Sequence, residues 1–420
     1  MLLRIALASV ARSGARIGVA AAIAIAPHAA VPAGVAQTLD AGTRIPVRLL
    51  DPVSSRPTML GREVRALVIA PVPSDTSPLV TPGMVLRGAI TEAGQERHHK
   101  RRRFVAVEFI ALETSPGHET PISALVSSVD NAAERVDTTG RILGLPDPSL
   151  VRSKTDWALL VLGTVQPEAA ATLFAADRGE MHERHRTIDF RPGVEMQLRL
   201  TDSLPLPDPP EWKEPPKLAS AARMDSLLQS LPPRTYAFGG RKPADLINVV
   251  LIGSDTAVRA AFRAAGWELA ERLDVRTGFT TFVDMARVRG YKHQPVSQLL
   301  LDGRPPDMVY QKLTDTFAKR HHIRIWRSEV KWEGRPVFVA AATHDVGIEF
   351  LGKQHTFTHR VDPRIDLERD KVVNDFVTAG LIEAISFALR VPIAGVTMNR
   401  EKNPVVTDWR VAVASLRAPK

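Results

Sequence analysis

Six prolines between Pro205 and Pro216, in "LPLPDPPEWKEPPKLAS", constrain this chain more than any other feature. Each holds φ at about −65° and removes a backbone donor, so neither a helix interior nor a central strand can run through them. The stretch favours extended polyproline II and predicts a stiff spacer over 205–235. With 420 residues and 44% hydrophobic content, the chain is long enough to bury one core on each side. The expected organisation is a leader over 1–36, a first domain over 38–204, the spacer, and a second domain over 236–415.

The first 36 residues carry Arg4, Arg12 and Arg16, the apolar run Ile17 to Ala26, and small residues ending in Gly34-Val35-Ala36. This is the basic, apolar and small-residue order of a secretory signal peptide, and the run is short for a bilayer span. Export to the periplasm or cell envelope is expected, with a retained N-terminal anchor as the alternative. The chain has no cysteine, which excludes disulfides and thiolate metal sites and closes the lipoprotein route. Lys and Arg number 55 against 46 Asp and Glu, a net charge of +9. That balance favours anionic partners; export argues for lipid headgroups or phosphorylated glycans and against nucleic acid.

Within 38–204, "AGTRIPVRLLDPVSS" and "RPGVEMQLRLTDSLP" repeat one pattern: Gly42 and Gly193, then Arg48-Leu49 and Arg199-Leu200, then Asp51 and Asp202. Both read as one kind of strand. Between them lie short β-type runs, Val64 to Pro71, Met84 to Thr91, Phe104 to Leu112 and Ile122 to Val129, separated by Gly, Pro and Asp clusters. The first domain is therefore expected to be mostly β, a small barrel or sandwich. "LDAGTRIPVRLLDPVSS", "LVTPGMVLRGAI", "RRRFVAVEFIAL" and "IDFRPGVEMQLRLTD" resemble the β-barrel domain of TrbI-type conjugal-transfer and type IV secretion channel proteins. The resemblance implies an envelope scaffold module rather than an enzyme. That family inserts a helical projection before the last strand; "TDWALLVLGTVQPEAAATLF" sits there, but Gln166-Pro167 leaves too few apolar residues for a span.

The second domain is expected to be α+β, with a strand–helix–strand start and antiparallel hairpins. Ile247 to Ile252 reads as a buried strand, Ser254 or Asp255 as the cap of a helix burying Val258, Ala261, Phe262 and Ala265, and Gly266 as its stop. "KRHHIRIWRSEVKWEGRPVFVAAATHDVGIEF" reads as a hairpin turning at Glu333-Gly334, with Ile323 and Ile325 on one face and His322, Arg324 and Trp326 on the other. A two-residue turn sets His322 opposite Asp345 and Arg324 opposite Thr343. A second hairpin returns "HTFTHRVD", placing His355, Phe357 and His359 on one face. Asp362-Pro363 then predicts the N-cap and first residue of a helix that buries Ile365, Val372, Val373 and Phe376 and stops at Gly380.

His322, Asp345, His359, Asp362 and Asp366 thus gather at neighbouring strand ends and one helix start. Imidazoles with carboxylates suit Zn or Mn, and carboxylates with water suit Mg, so a divalent metal is the candidate cofactor. Arg324, Arg360 and Arg369 are the candidates for holding a phosphate. Three readings stay open: a structural network of ion pairs and caps, with Asp366 on Arg369; a metal-dependent hydrolytic site; and anion binding without chemistry.

"HHIRIWR", "GRPVFVAAATHDVGI" and "FTHRVDPRIDLERD", preceded by "NVVLIGS", "AAGW" and "QPVSQLLLDGRPPDMVYQK", resemble the LssY C-terminal domain family over residues 240 to 400. The resemblance implies a domain of bacterial envelope proteins, found alone or fused to membrane phosphatase-like segments, with no activity of its own established. No stretch of this sequence resembles those polytopic helices. Lesser signals are the cationic "ERHHKRRR" at 96–103, read as a solvated hairpin tip before a lipid or glycan patch, and "MHERH" at 181–185, whose His182 and His185 lack the H-E-x-x-H spacing. No Walker loop and no G-x-S-x-G elbow occurs. The expected function is an exported envelope protein acting as a binding or scaffold module for anionic components or other envelope proteins. The alternative is a metal-dependent phosphoester hydrolase using His322, Asp345, His359, Asp362 and Asp366.

Overall fold

The computed structural model describes residues 37–72, 78–96, 102–115, 117–130, 134–144, 187–206, 213–237, 242–270, 299–312, 320–351, 356–393 and 405–418; for 347–351 and 356–360 it describes the backbone alone. The expected leader, the segment "TDWALLVLGTVQPEAAATLF", "MHERH", His355 and most of "ERHHKRRR" lie outside these residues. Among the described residues no helix is long and apolar enough to cross a membrane.

Six strands close the first unit: β1 (Arg44–Leu49), β2 (Glu63–Val68), β3 (Val85–Gln95), β4 (Arg103–Ser115), β5 (His118–Val129) and β6 (Glu195–Leu200). They hydrogen-bond in the order β3-β2-β1-β6-β5-β4, and β3 pairs with β4 to complete a barrel. Strict alternation builds it. Ile45, Val47 and Leu49 of β1 and Met196, Leu198 and Leu200 of β6 point inward and are fully buried with Leu86, Phe109 and Leu112.

The two repeated stretches are β1 and β6, and they lie antiparallel to each other. Gly42 and Gly193 both adopt positive φ, 89° and 101°, at turns that a Cβ would strain. Each donates its N–H to the last carbonyl of the other strand, Gly42 to Leu200 at 2.8 Å and Gly193 to Leu49 at 2.9 Å. Gly88 serves another need: a Cβ there would stand 2.2 Å from the Glu108 carbonyl oxygen where β3 crosses β4. The Glu96 N–H bonds to the Arg102 carbonyl at 2.9 Å, so the cationic stretch does sit between the paired strands β3 and β4.

The second unit is built on another sheet. Its strands are β7 (Val249–Ile252), β8 (Trp267–Leu269), β9 (Met308–Lys312), β10 (Arg320–Trp332), β11 (Arg335–Leu351), β12 (Thr356–Val361), β13 (Ile382–Leu389) and β14 (Arg410–Leu416). The order is β8-β9-β10-β11-β7-β14-β13, with β12 on the far end of β11. These pairs are antiparallel except β7 with β14.

Among the described residues three helices accompany this sheet: α1 (Ala221–Gln229), α2 (Asp255–Ala264) and α3 (Ile365–Thr378). α2 and α3 cover one face. Phe262 and Phe376 bury there against Ile323, Ile325 and Phe338. α2 starts where the sequence predicts, with Ser254 Oγ accepting the Ala257 N–H at 3.1 Å, and ends at Gly266, φ 77°.

α1 lies on the other face, where Met224 and Leu228 share a core with Trp326 and Val339. It falls inside the stretch predicted as spacer, for a reason the prolines conceal. Met224, Leu227 and Leu228 repeat at helical spacing, and all three are buried against the sheet. The Pro216 carbonyl also accepts the Ile385 N–H at 2.8 Å, so the chain is already docked on β13 just after the prolines.

Candidate functional site

The β10–β11 hairpin turns at Glu333-Gly334, both with positive φ, 49° and 80°, the pairing of a type I′ turn. Next to the turn Trp332 faces Arg335 and Lys331 faces Pro336, as predicted. An irregularity between Arg327 and Lys331 then shifts the register by two. His322 therefore faces Thr343, Arg324 faces Ala341, and Asp345 faces Arg320, which corrects the expected pairs His322–Asp345 and Arg324–Thr343. Because side chains alternate with period two, a slip of two keeps every residue on its predicted face. Asp345 stays a diagonal neighbour of His322, with Nδ1 and Oδ2 3.7 Å apart, and binds Arg320 Nη2 at 3.1 Å.

Beside these groups lies a small cleft, about 20 Å³ in volume, lined by Arg234, Asp245, Asn248, Thr343, Asp362 and Ile365, among others. His322 and Arg324 back it: His322 Nε2 meets Thr343 Oγ1 at 2.7 Å, and Arg324 Nη1 meets Asp245 Oδ2 at 3.3 Å. Asn248 is fixed by Ala342, donating to its carbonyl at 3.0 Å and accepting its N–H at 2.9 Å. Arg234 donates from Nη2 to the Ala244 carbonyl at 2.9 Å, but its buried Nε has no hydrogen-bond partner among the described residues. Burial lowers its pKa from the usual arginine value.

Asp362 and Pro363 do not open α3 as predicted. The helix begins at Ile365 with Arg364 at the cap position and no side-chain cap. The Pro363 carbonyl accepts the Val406 N–H at 2.7 Å, and Arg364 bridges Val406 in parallel, which ties these residues to 406 before the helix begins. Asp362 turns the chain locally instead, accepting the Arg364 N–H at 2.9 Å and pairing with its guanidinium.

Asp366 and Arg369 belong to a separate network. Asp366 accepts from Thr407 Oγ1 at 2.9 Å and the Asp408 N–H at 2.6 Å, besides Arg369 at 3.3 Å. Arg369 binds Asp370 at 2.8 Å, Asp408 at 2.6 Å and the Arg410 carbonyl at 2.7 Å. The expected Asp366–Arg369 pair is present, but both groups are committed to tying α3 to residues 407–410. His359 and Arg360 lie on β12, paired through the backbone with Ile348 and Gly347. Of the eight predicted candidates, His322, Arg324 and Asp362 border or back the cleft, and Asp345 stands beside His322.

The opposite face of the same hairpin holds a cluster outside those eight. His321 and His344 are register partners, their rings stacked with centroids 4.0 Å apart and 12° between planes. Glu368 of α3 reaches His321 Nδ1 at 2.8 Å through Oε2. One ligating atom from each of His321, His344 and Glu368 lies within 4.8 Å of the other two. Burial, then the neighbouring charge of Lys371, lowers His321 to about 3; burial, then His321, lowers His344 to about 3. Burial raises Glu368 to about 8. Two local signals mark its members as buried without joining them. The alternation that sends His322 one way sends His321 toward α3, and Glu368 falls on the buried stripe of Val372 and Phe376 at four-residue spacing.

Beside it the two units meet in a buried ionic junction. Arg48 and Glu195, neighbours on the barrel's outer wall, bond at 2.8 Å, and Arg48 also reaches Asp375 of α3 at 2.6 Å. Lys371 meets Glu195 at 2.5 Å and Asp375 at 3.4 Å; Lys312 meets Asp375 at 2.8 Å and Glu195 at 3.5 Å. Trp267 Nε1 donates to Asp375 at 2.9 Å. Burial works against both carboxylates, yet Lys371 and Lys312 outweigh it and hold Glu195 well below, and Asp375 below, the usual carboxylate range.

No curated protein matches the chain at a significant level. Among solved structures, ComB10 of the Com type IV secretion system of Helicobacter pylori is similar at 14% identity, over 41% of this chain and 93% of that one, with a TM-score of 0.23. The family described as LssY C-terminus matches residues 231–410. The unit that carries both the cleft and the histidine cluster is thus the part of the chain that matches the LssY C-terminus family.

Proposed function

We propose that this protein is an exported component of the cell envelope that acts as a binding module, its LssY C-terminus unit taking a small anionic group such as a phosphate in the Arg234 cleft. The observation that carries this reading is the buried Arg234 Nε without a partner among the described residues, on the cleft wall. The two carboxylates that line the cleft, Asp245 and Asp362, are each paired with an arginine outside its lining, Arg324 and Arg364, which leaves the Arg234 guanidinium to favour an anion. Arginine geometry suits bidentate capture of phosphate. The basic, apolar and small-residue order of 1–36 and the net charge of +9 support an envelope setting with anionic partners. N-terminal sequencing of protein from the envelope fraction should start near Gln37; an intact Met1 in the cytosol would remove the export claim.

Calorimetric titration of the full chain with inorganic phosphate and with vesicles bearing anionic phospholipids should give binding that Arg234→Ala weakens by roughly 10- to 150-fold, the worth of a hydrogen bond to a charged group. Equal affinity in parent and variant would sink the reading. Metal-dependent release of phosphate from phosphomonoesters or diesters would favour the hydrolase through His322, Asp345, His359, Asp362 and Asp366 instead. That reading is weakened at Asp366, whose two oxygens already serve Thr407, Asp408 and Arg369.

A further inference from the structure

We infer that His321, His344 and Glu368 form a binding site for one divalent transition-metal ion. Their ligating atoms lie within 4.8 Å of one another, contributed by two adjacent strands and the helix packed on them. An ion with ligand distances of about 2.0–2.2 Å needs its ligands roughly 3.4 Å apart. The closure this asks of any pair is at most about 1.4 Å, the difference between 4.8 Å and that spacing.

A second observation points to a ligand. Glu368 is 2% exposed and its Oε1 has no hydrogen-bond partner among the described residues; neither has the buried Nε2 atom of His344, a half-buried residue. Buried polar atoms left this way are costly, and these two belong to adjacent side chains in one cluster. One cation between them would use both.

The donor set selects the ion. Two nitrogens and one carboxylate suit Zn, Co or Mn and not Ca or Mg, which take oxygen ligands. Three protein ligands leave a coordination position open, the pattern of reactive rather than closed structural zinc sites. The surroundings carry their own charges. Lys371, Lys312 and Arg48 stand to one side with Glu195 and Asp375 among them, and Asp345 and Asp362 act on His344 from the other. The two sites share no side chain, since His321, His344 and Glu368 are not among the residues lining the cleft.

The full chain, purified without a histidine tag and stripped with chelator, should bind one equivalent of Co(II) or Zn(II) by calorimetry, with a visible d–d spectrum for Co(II). Glu368→Gln keeps the shape of the side chain and should leave the melting temperature close to that of the parent while abolishing stoichiometric binding. His344→Ala should abolish it too. Arg234→Ala should bind metal as the parent does, which separates this site from the cleft. The imidazole ¹⁵N shifts of His321 and His344 in the parent should move on adding Zn(II), a readout that needs no variant. No stoichiometric binding by the parent, unmoved imidazole shifts, or unchanged binding in a folded Glu368→Gln would each overturn the inference.

Discussion

Glu195→Ala is expected to destabilise the chain by about 3–5 kcal/mol, the cost of leaving a buried charge without its partner. Three cations, Arg48, Lys312 and Lys371, converge on Glu195 and Asp375. Removing one carboxylate leaves three positive charges against one in a space where Glu195 and Asp375 are each 1% exposed. Arg48→Met removes one cation from the excess and keeps an apolar stem, so its cost should be smaller. The junction also sets a pH dependence. Both carboxylates have folded-state pKa values lowered from the ordinary range. Their contribution is therefore present above the ordinary carboxylate pKa and is lost as pH falls through the lowered folded values. Guanidinium unfolding of parent and variants at neutral and acid pH measures both effects. A loss below about 1 kcal/mol for Glu195→Ala, with no acid dependence to lose, would show that the barrel and the second unit do not meet through these groups.

Phe376→Ala should cost a similar amount, about 3–5 kcal/mol, because it removes a large ring and leaves a cavity. Phe376 is fully buried and meets Phe262 edge to face at 4.9 Å; Phe262 in turn stacks on Tyr310 at 4.3 Å and meets Trp267 at 5.8 Å. The ring ties α3 to α2. Loosening α3 also moves Glu368, Lys371 and Asp375, since all lie on that helix. The variant should thus lose metal affinity and junction stability together, whereas Glu368→Gln loses metal affinity alone. Thermal and denaturant unfolding read the stability change, and cobalt titration reads the site. A loss under about 1 kcal/mol would mean that α3 is held chiefly by its Asp366–Arg369–Asp408 network.

Much of the fold was legible because its signals are local. Ser254 and Gly266 bracket α2, and Gly380 ends α3, at the predicted positions. The barrel wall and the two faces of β10 follow the alternation of apolar residues. The candidate site was legible only in part. His322 and Arg324 lie on the face that period two predicts and bond Thr343 and Asp245 of the cleft wall, whereas Asp362 lines the cleft from a position expected to be a helix cap. Arg234, central to the proposed anion site, precedes the first strongly apolar strand of its unit and carries no local signal. His321 shares its face with Ile323 and Ile325, so alternation marks it as core and gives no hint that a glutamate of α3 meets it there.

By itself the sequence determined what neighbours within a few residues can decide: which side chains share a face, where helices start and stop, and that 42–51 and 193–202 are strands of one kind. Only the tertiary structure decided which of these faces meet. The repeat puts Arg44 where the second copy has Glu195, and nothing within either stretch marks that exchange as important; Glu195 matters because α3 and β9 bring Lys371 and Lys312 onto the barrel wall. The register slip between Arg327 and Lys331, likewise, depends on how β10 packs rather than on its turn. Charges and registers of this kind are set by long-range burial, which lowers the dielectric around a few groups brought together from distant segments and so gives them energies that no local pattern contains.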